Sequence, residues 1–329
     1  MRVAVFGSKP YDREYLSACN SAEHELAFFA PILNDDTAPM VKGFDAVCCF
    51  VNDDISKKVI KRLAKAGVKL IALRCAGFNN VDLDAAKKEN ILVCRVPEYS
   101  PHTVAEHAVA LIMDLNRNIH RAFNRVREHD YSLQGLQGFE IHGKTVGLVG
   151  TGAIGLAFAR IMAGFGCELL GHDPIEHAEF KKLGNYVALE TLWAKADIIS
   201  LHCPLVPPTY HLINQDSIAR MKRGVMLINT SRGGLVDTRA VIDGLKKGKI
   251  GYLGLDVYEE EAGMFFEDCS DSILIDDVFA RLLTFPNVVV TGHQAFFSRE
   301  ALQAIASITM ANIDAFAQGK LNKIKQISV

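Results

Sequence analysis

The stretch Gly150-Thr151-Gly152-Ala153-Ile154-Gly155 constrains this chain more than any other, because of what flanks it. It follows the apolar run Thr145-Val146-Gly147-Leu148-Val149 and opens the helix-like run Leu156 to Phe165. Between a strand and a helix, each glycine has its own task. The first permits a tight turn after the strand, the second lets the backbone approach a pyrophosphate, and the third lets helix and strand pack closely. The helix N-terminus then faces an anion with its N–H groups and the positive end of its dipole. A second apolar run, Cys167 to His172, ends at Asp173, about 20 residues further on, where an acceptor for an adenosine ribose 2′-OH is expected. The pattern reads as a dinucleotide site of the NAD type.

At 329 residues the chain is too long for one comfortable core and suggests two domains. Lys+Arg 36 against Asp+Glu 38 leaves a net charge of −2, so no overall field favours nucleic acid or an anionic membrane. No apolar run reaches the length of a membrane span, and Met1 to Gly7 reads as a strand rather than a signal peptide, so the expected compartment is the cytoplasm. The eight cysteines are scattered, with Cys48-Cys49 inside an apolar run and no CxxC pair. That suits reduced, buried thiols and no metal framework.

Two alternating systems of strands and helices follow from the apolar periodicity. The first places strands near 2–6, 25–29, 45–51, 68–73 and 91–96, with helical runs such as Ser56 to Ala66, which stops at Gly67. Ser100-Pro101 then opens a long helical stretch through about Arg127. Its apolar residues Val104, Ala108, Leu111, Ile112, Leu115 and Ile119 exceed what one monomer face needs, which suggests a symmetric contact between copies. The second system places strands near 145–149, 168–172, 198–201, 225–229, 252–256 and 288–291, and Ser298 to Gln318 closes the chain as an amphipathic helix.

Seven strings in order carry a family resemblance over nearly the whole chain: Arg74 to Asp82 (RCAGFNNVD), Val104-Ala105-Glu106-His107, the glycine-rich turn, Leu201-His202-Cys203-Pro204-Leu205, Ile228 to Gly233 (INTSRG), Gly254 to Glu261 (GLDVYEEE), and Thr291-Gly292-His293-Gln294-Ala295. The chain resembles the D-isomer-specific 2-hydroxyacid dehydrogenases. Phe50 to Asp54 (FVNDD), Phe265-Phe266-Glu267-Asp268 and His293-Gln294-Ala295-Phe296 look like the subgroup of bacterial fermentative D-lactate dehydrogenases. The resemblance implies two doubly wound parallel-sheet domains, a flavodoxin-like substrate domain (1–100 and 298–329) and a Rossmann NAD-binding domain (101–297), with an interdomain active-site cleft. It also implies a homodimer or homotetramer. The cofactor contacts it implies are Val104, Gly150 to Gly155, Asp173, His202, Cys203, Pro204, Asn229, Thr230, Ser231 and Asp256. On the substrate side it implies Ala76, Gly77 and Phe78, with Tyr99 and Phe296 as pocket walls that favour a short methyl side chain, hence pyruvate.

The residue types support such chemistry. Reducing a 2-keto acid requires a hydride from a nicotinamide, a proton for the keto oxygen and a cationic anchor for the carboxylate. His293 follows the strand Val288 to Thr291, and imidazole can give a proton in one direction and take it in the other. Arg232 follows the strand Val225 to Asn229 and offers a planar fork for a carboxylate, although it could instead pair with Asp237. An acid must steady the imidazolium. Sequence physics cannot choose among Glu259, Glu260 and Glu261; the family pattern points to Glu261. The alternatives are a reductase of glyoxylate, hydroxypyruvate or a bulkier 2-keto acid, or an NAD-sensing binding protein that uses the fold as a switch.

Overall fold

The computed structural model describes residues 1–327. The chain divides into two compact units, residues 1–100 together with the segment from Phe297 onward, and residues 101–296.

The first unit holds β1 (Arg2–Val5), β2 (Glu25–Phe28), β3 (Ala46–Cys49), β4 (Leu70–Leu73) and β5 (Leu92–Cys94), with α1 (Pro10–Ala18), α2 (Lys57–Ala66) and α3 (Leu83–Lys88). The strands pair in parallel in the order β2-β1-β3-β4-β5. Alternate strand residues serve opposite faces, as the pleat dictates. Ala4, Val47, Ile71 and Val93 join Val59, Ile60 and Leu63 of α2 in one core, while Val3, Cys48, Ala72 and Cys94 join Leu16 of α1 in the other. Ala306, Met310 and Ile313 from the last helix, Arg299–Ala317, complete that second core, so the end of the chain is part of the first unit. The stop read from sequence holds at Gly67, which closes α2 at φ +94°, while Ser56 at its start makes no side-chain cap bond. The Ser298 hydroxyl caps the last helix by accepting from the Ala301 amide.

The second unit holds β6 (Thr145–Val149), β7 (Glu168–His172), β8 (Asn185–Tyr186), β9 (Ile198–Leu201), β10 (Val225–Asn229), β11 (Ile250–Leu255) and β12 (Val288–Val290). Its helices are α4 (Pro101–Arg117), α5 (Ile119–Arg127), α6 (Ala153–Gly164), α7 (Ala178–Lys181), α8 (Leu189–Lys195), α9 (Gln215–Arg220), α10 (Thr238–Lys246) and α11 (Asp277–Leu283). The seven strands are parallel in the order β12-β11-β10-β9-β6-β7-β8, the doubly wound arrangement. One face packs on α4 and α6, the other on α8, α9 and α10. Such sheets build sites beyond the carboxyl ends of their strands.

Three expectations change. The single helix expected from Pro101 to Arg127 is broken at Asn118, which turns left-handed at φ +52°. The apolar row assigned to a contact between copies is used inside the unit: Ala108, Leu111, Ile112 and Leu115 are core, Val104 is buried, and only Ile119 is exposed. The reason is the sheet itself, whose face over β10 and β11 needs α4 as its cover. The thiols are free as expected, but not all buried. Cys48, Cys49, Cys75, Cys94 and Cys203 are; Cys19 and Cys167 are half-buried and Cys269 is exposed. Burial pushes the Cys48 thiol up to about 11 and Cys94 up to about 12, so neither is poised to react.

Candidate active site

The glycine turn has the geometry its spacing implies. Gly150 sits at φ +96°, and a Cβ there would stand 2.6 Å from the backbone of His202 and Cys203. A Cβ on Gly155 would stand 2.2 Å from the Gly150 carbonyl oxygen, so only glycine lets α6 lie against the end of β6. The space beside Gly152 is open, and no side chain caps the first turn of α6, which begins at Ala153 and Ile154. That combination, an uncapped helix N-terminus with room for backbone approach, fits a pyrophosphate. Asp173 follows β7 and is held in place: Oδ2 accepts from the Thr151 amide at 2.7 Å and Oδ1 from the Ile175 amide at 2.9 Å. The Thr151 hydroxyl lies 2.6 Å from the hydroxyl of Tyr186, on a strand that sequence periodicity misses.

The loops after β9 and β10 meet in front of this turn. Ser231 donates its hydroxyl to the Cys203 carbonyl at 2.7 Å, next to exposed Pro204. The His202 ring turns away onto Phe158 and lies 2.9 Å from the Ser200 hydroxyl, and packing around it lowers its pKa to about 3. What His202 could offer a ligand is its backbone. Asn229 is buried and shapes the turn, accepting from the Ser231 amide at 3.0 Å and donating to the Arg232 carbonyl at 2.8 Å. The Thr230 hydroxyl is buried and, among the described residues, without a partner, an orphaned polar atom of the kind a bound amide or ribose would satisfy.

Arg232, Glu261 and His293 come from three strand ends of this one sheet. Arg232 spends one N–H on the Ser231 carbonyl at 2.7 Å, and among the described residues it pairs with no carboxylate, which leaves most of its fork for a ligand. Asp237, the rival partner, caps α10 instead by accepting from Ala240. Gly233 lets the Arg232 loop lie on the acidic segment, since a Cβ there would stand 2.1 Å from the Tyr258 backbone. The three glutamates separate cleanly, Glu260 being exposed. Glu261 Oε1 lies 2.9 Å from His293 Nδ1, while Glu259 lies 2.9 Å from His211 Nε2 and accepts from the Thr238 amide. Glu261 is itself fixed by the Tyr258 amide at 3.1 Å, and the Tyr258 hydroxyl is anchored on Asp276 at 2.7 Å.

Sequence reasoning places Asp256 beside the cofactor. In the structure its carboxylate is fully buried and turned to the chain, accepting from Thr291, Gln294 and Ala295 around the histidine turn. Phe266, at φ +70°, lays its ring 5.3 Å from that of His293. The first unit keeps its own loop after β4. The Ala76 carbonyl takes a hydrogen bond from Arg95 at 2.8 Å, the Gly77 carbonyl faces the Cys75 thiol at 3.3 Å, and Phe78 packs on the Arg95 guanidinium. Tyr99 is half-buried there, and Phe296 of the second unit is buried.

Comparison with known proteins agrees with this fold. Residues 109–295 match the model of the D-isomer specific 2-hydroxyacid dehydrogenase NAD binding domain. The chain is 52% identical to the D-lactate dehydrogenase of Escherichia coli K12 over 97% of its length and 98% of the relative's. The apo-structure of D-lactate dehydrogenase from Escherichia coli superposes with a TM-score of 0.89 at 50% identity, over 97% of this chain and 98% of that one. A structure of the pyruvate reductase of Chlamydomonas reinhardtii gives a TM-score of 0.93 at 47% identity, over 97% of both chains.

Proposed function

The chain belongs to the D-isomer-specific 2-hydroxyacid dehydrogenases and carries their NAD-binding domain, and from that premise we propose that it is an NAD-dependent D-lactate dehydrogenase that interconverts pyruvate and D-lactate. The names and full-length similarity of its relatives support the substrate. The observation that carries the chemistry is the His293–Glu261 pair at 2.9 Å, on the same sheet as the Arg232 fork.

When bound, the dinucleotide supplies the hydride in one direction and accepts it in the other. His293, with Nδ1 on Glu261, has Nε2 left to protonate the keto oxygen. Arg232 holds the carboxylate and polarises the adjacent keto group. We assign the cofactor to Val104, the turn Gly150 to Gly155, Asp173, the backbone of His202 to Pro204 and the segment Asn229 to Ser231. We assign the substrate side to Ala76, Gly77, Phe78, Tyr99 and Phe296. No helix of the described residues is long and apolar enough to cross a membrane. Eight free cysteines support the cytoplasm as the compartment. Ile119, Phe123 and Val126, exposed on α5, support a homo-oligomer.

NADH oxidation with a panel of 2-keto acids, followed by chiral analysis, tests the assignment: pyruvate should give the highest kcat/KM and the product should be D-lactate. A higher kcat/KM for glyoxylate, hydroxypyruvate or a bulkier acid, or an L product, overturns it. Three variants extend the test. NADH should be strongly preferred over NADPH, because the Asp173 carboxylate accepts from a ribose diol and repels a 2′-phosphate. Asp173→Ala should narrow that preference, and equal use of both cofactors by the unmodified enzyme would refute the role of Asp173. Glu261→Gln removes the carboxylate that holds His293 Nδ1 at 2.9 Å and should lower kcat for pyruvate reduction by about tenfold or more with the KM for NADH little changed. Glu259→Gln, whose partner is His211, should leave kcat in place.

A further inference from the structure

His107 has no part in the chemistry assigned above, yet its ring reaches the strand end that carries His293. It projects from α4, with Nε2 3.0 Å from Thr291 Oγ1 and 3.4 Å from Asp256 Oδ1. Thr291 in turn donates its hydroxyl proton to Asp256 Oδ1 at 2.5 Å. A hydroxyl has one proton, and this one is spent on the carboxylate, so Thr291 meets His107 as an acceptor and His107 Nε2 must be the donor.

The receiving carboxylate is what shapes the turn. Asp256 is fully buried, and it accepts from the Gln294 amide at 2.9 Å and the Ala295 amide at 2.8 Å. Its own carbonyl accepts from the His293 amide at 2.7 Å. Three consecutive amides are thus tied to one residue. They need to be, because His293 sits in the left-handed region at φ +52°, a conformation that persists in a non-glycine residue only where its surroundings over-determine it. Without the Thr291 hydroxyl proton, the Asp256 carboxylate would lose one of its three side-chain-directed donors and could rotate, and the amides it holds would follow. Among the described residues, His107 is the side chain that meets the Thr291 hydroxyl as a donor and so keeps its proton pointed at Asp256.

We propose that His107 is a positioning residue for the proton-donating histidine: by donating to Thr291 it commits the threonine proton to Asp256, and through Asp256 it holds the strained turn that aims the His293 ring. The proposal rests on the reading of His293 as the acid–base group.

The test uses His107→Leu, His107→Gln, Thr291→Val and the His107→Leu/Thr291→Val double variant, with His293→Ala alongside. His107→Leu should lower kcat for pyruvate reduction roughly tenfold while KM for NADH changes by less than about twofold. His107→Gln keeps an N–H at the same reach and should restore most of the loss. Thr291→Val should match His107→Leu, and the double variant should be no worse than either single one, since both cut the same chain. Independently of turnover, hydrogen exchange at the Gln294 and Ala295 amides should quicken in His107→Leu and recover in His107→Gln. An unchanged kcat in His107→Leu, additive losses in the double variant, or no recovery with glutamine overturns the role of His107. A His293→Ala enzyme with undiminished kcat would instead overturn the reading of His293, which keeps the two failures apart.

Discussion

Replacing His293 by alanine is expected to lower kcat for pyruvate reduction by on the order of a hundredfold or more, while the affinity for NADH changes by less than about twofold. The asymmetry follows from where the histidine stands. Its ring touches Glu261 and Phe266, and no residue of the Gly150 to Gly155 turn or of the Asp173 cluster depends on it. Alanine therefore removes the proton donor and leaves the dinucleotide's supports intact. Steady-state turnover with pyruvate, paired with fluorescence titration of NADH, separates the two quantities. A variant that keeps more than about a tenth of wild-type kcat would show that the proton comes from another source, because general acid catalysis normally contributes more than that. Equal loss of turnover and NADH binding would place His293 in the cofactor site instead.

The second large effect is expected at Arg232. Arg232→Lys should raise the KM for pyruvate and also lower kcat, the combined loss in kcat/KM being on the order of a hundredfold or more. Charge is conserved in this substitution, so a purely electrostatic anchor would survive it. A fork is not conserved. The guanidinium already gives one N–H to the Ser231 carbonyl at 2.7 Å, which fixes its plane, and the remaining donors can then meet a carboxylate in one orientation. An ammonium offers three rotating donors and no plane. The keto carbon would be held less well against the hydride, which is a loss in the transition state as well as in binding. A rise in KM with kcat unchanged would reduce Arg232 to a charge that collects substrate.

Both predictions draw on residues that the sequence singles out, and the reasons some were legible and others not are physical. The strands of both sheets are legible because parallel sheets are covered on both faces, so β3 and β4 appear as unbroken apolar runs and β10 as one up to Ile228. The edge strand β8 is two residues long, too short to carry a period, and with it Tyr186 escapes notice. The break between α4 and α5 is hidden because the apolar spacing continues through Arg117-Asn118-Ile119; only the tolerance of asparagine for left-handed backbone marks the place. Choosing among Glu259, Glu260 and Glu261 depends on partners 48 and 32 positions away, His211 for Glu259 and His293 for Glu261. Neighbouring letters contain no such information. The same holds more strongly for His107 and Thr291, which are 184 positions apart and meet only because α4 covers the sheet.

The left-handed backbone at His293 also sets stability against turnover at a single position. An L-residue in that region costs about 1–2 kcal/mol relative to glycine, and histidine carries this cost in every folded molecule whether or not substrate is present. Glycine at 293 would relax the turn and remove the imidazole together. Variants of this protein enriched for heat resistance without an assay of activity will therefore drift toward glycine or asparagine there, and survival at high temperature will report the wrong property at the residue that matters most.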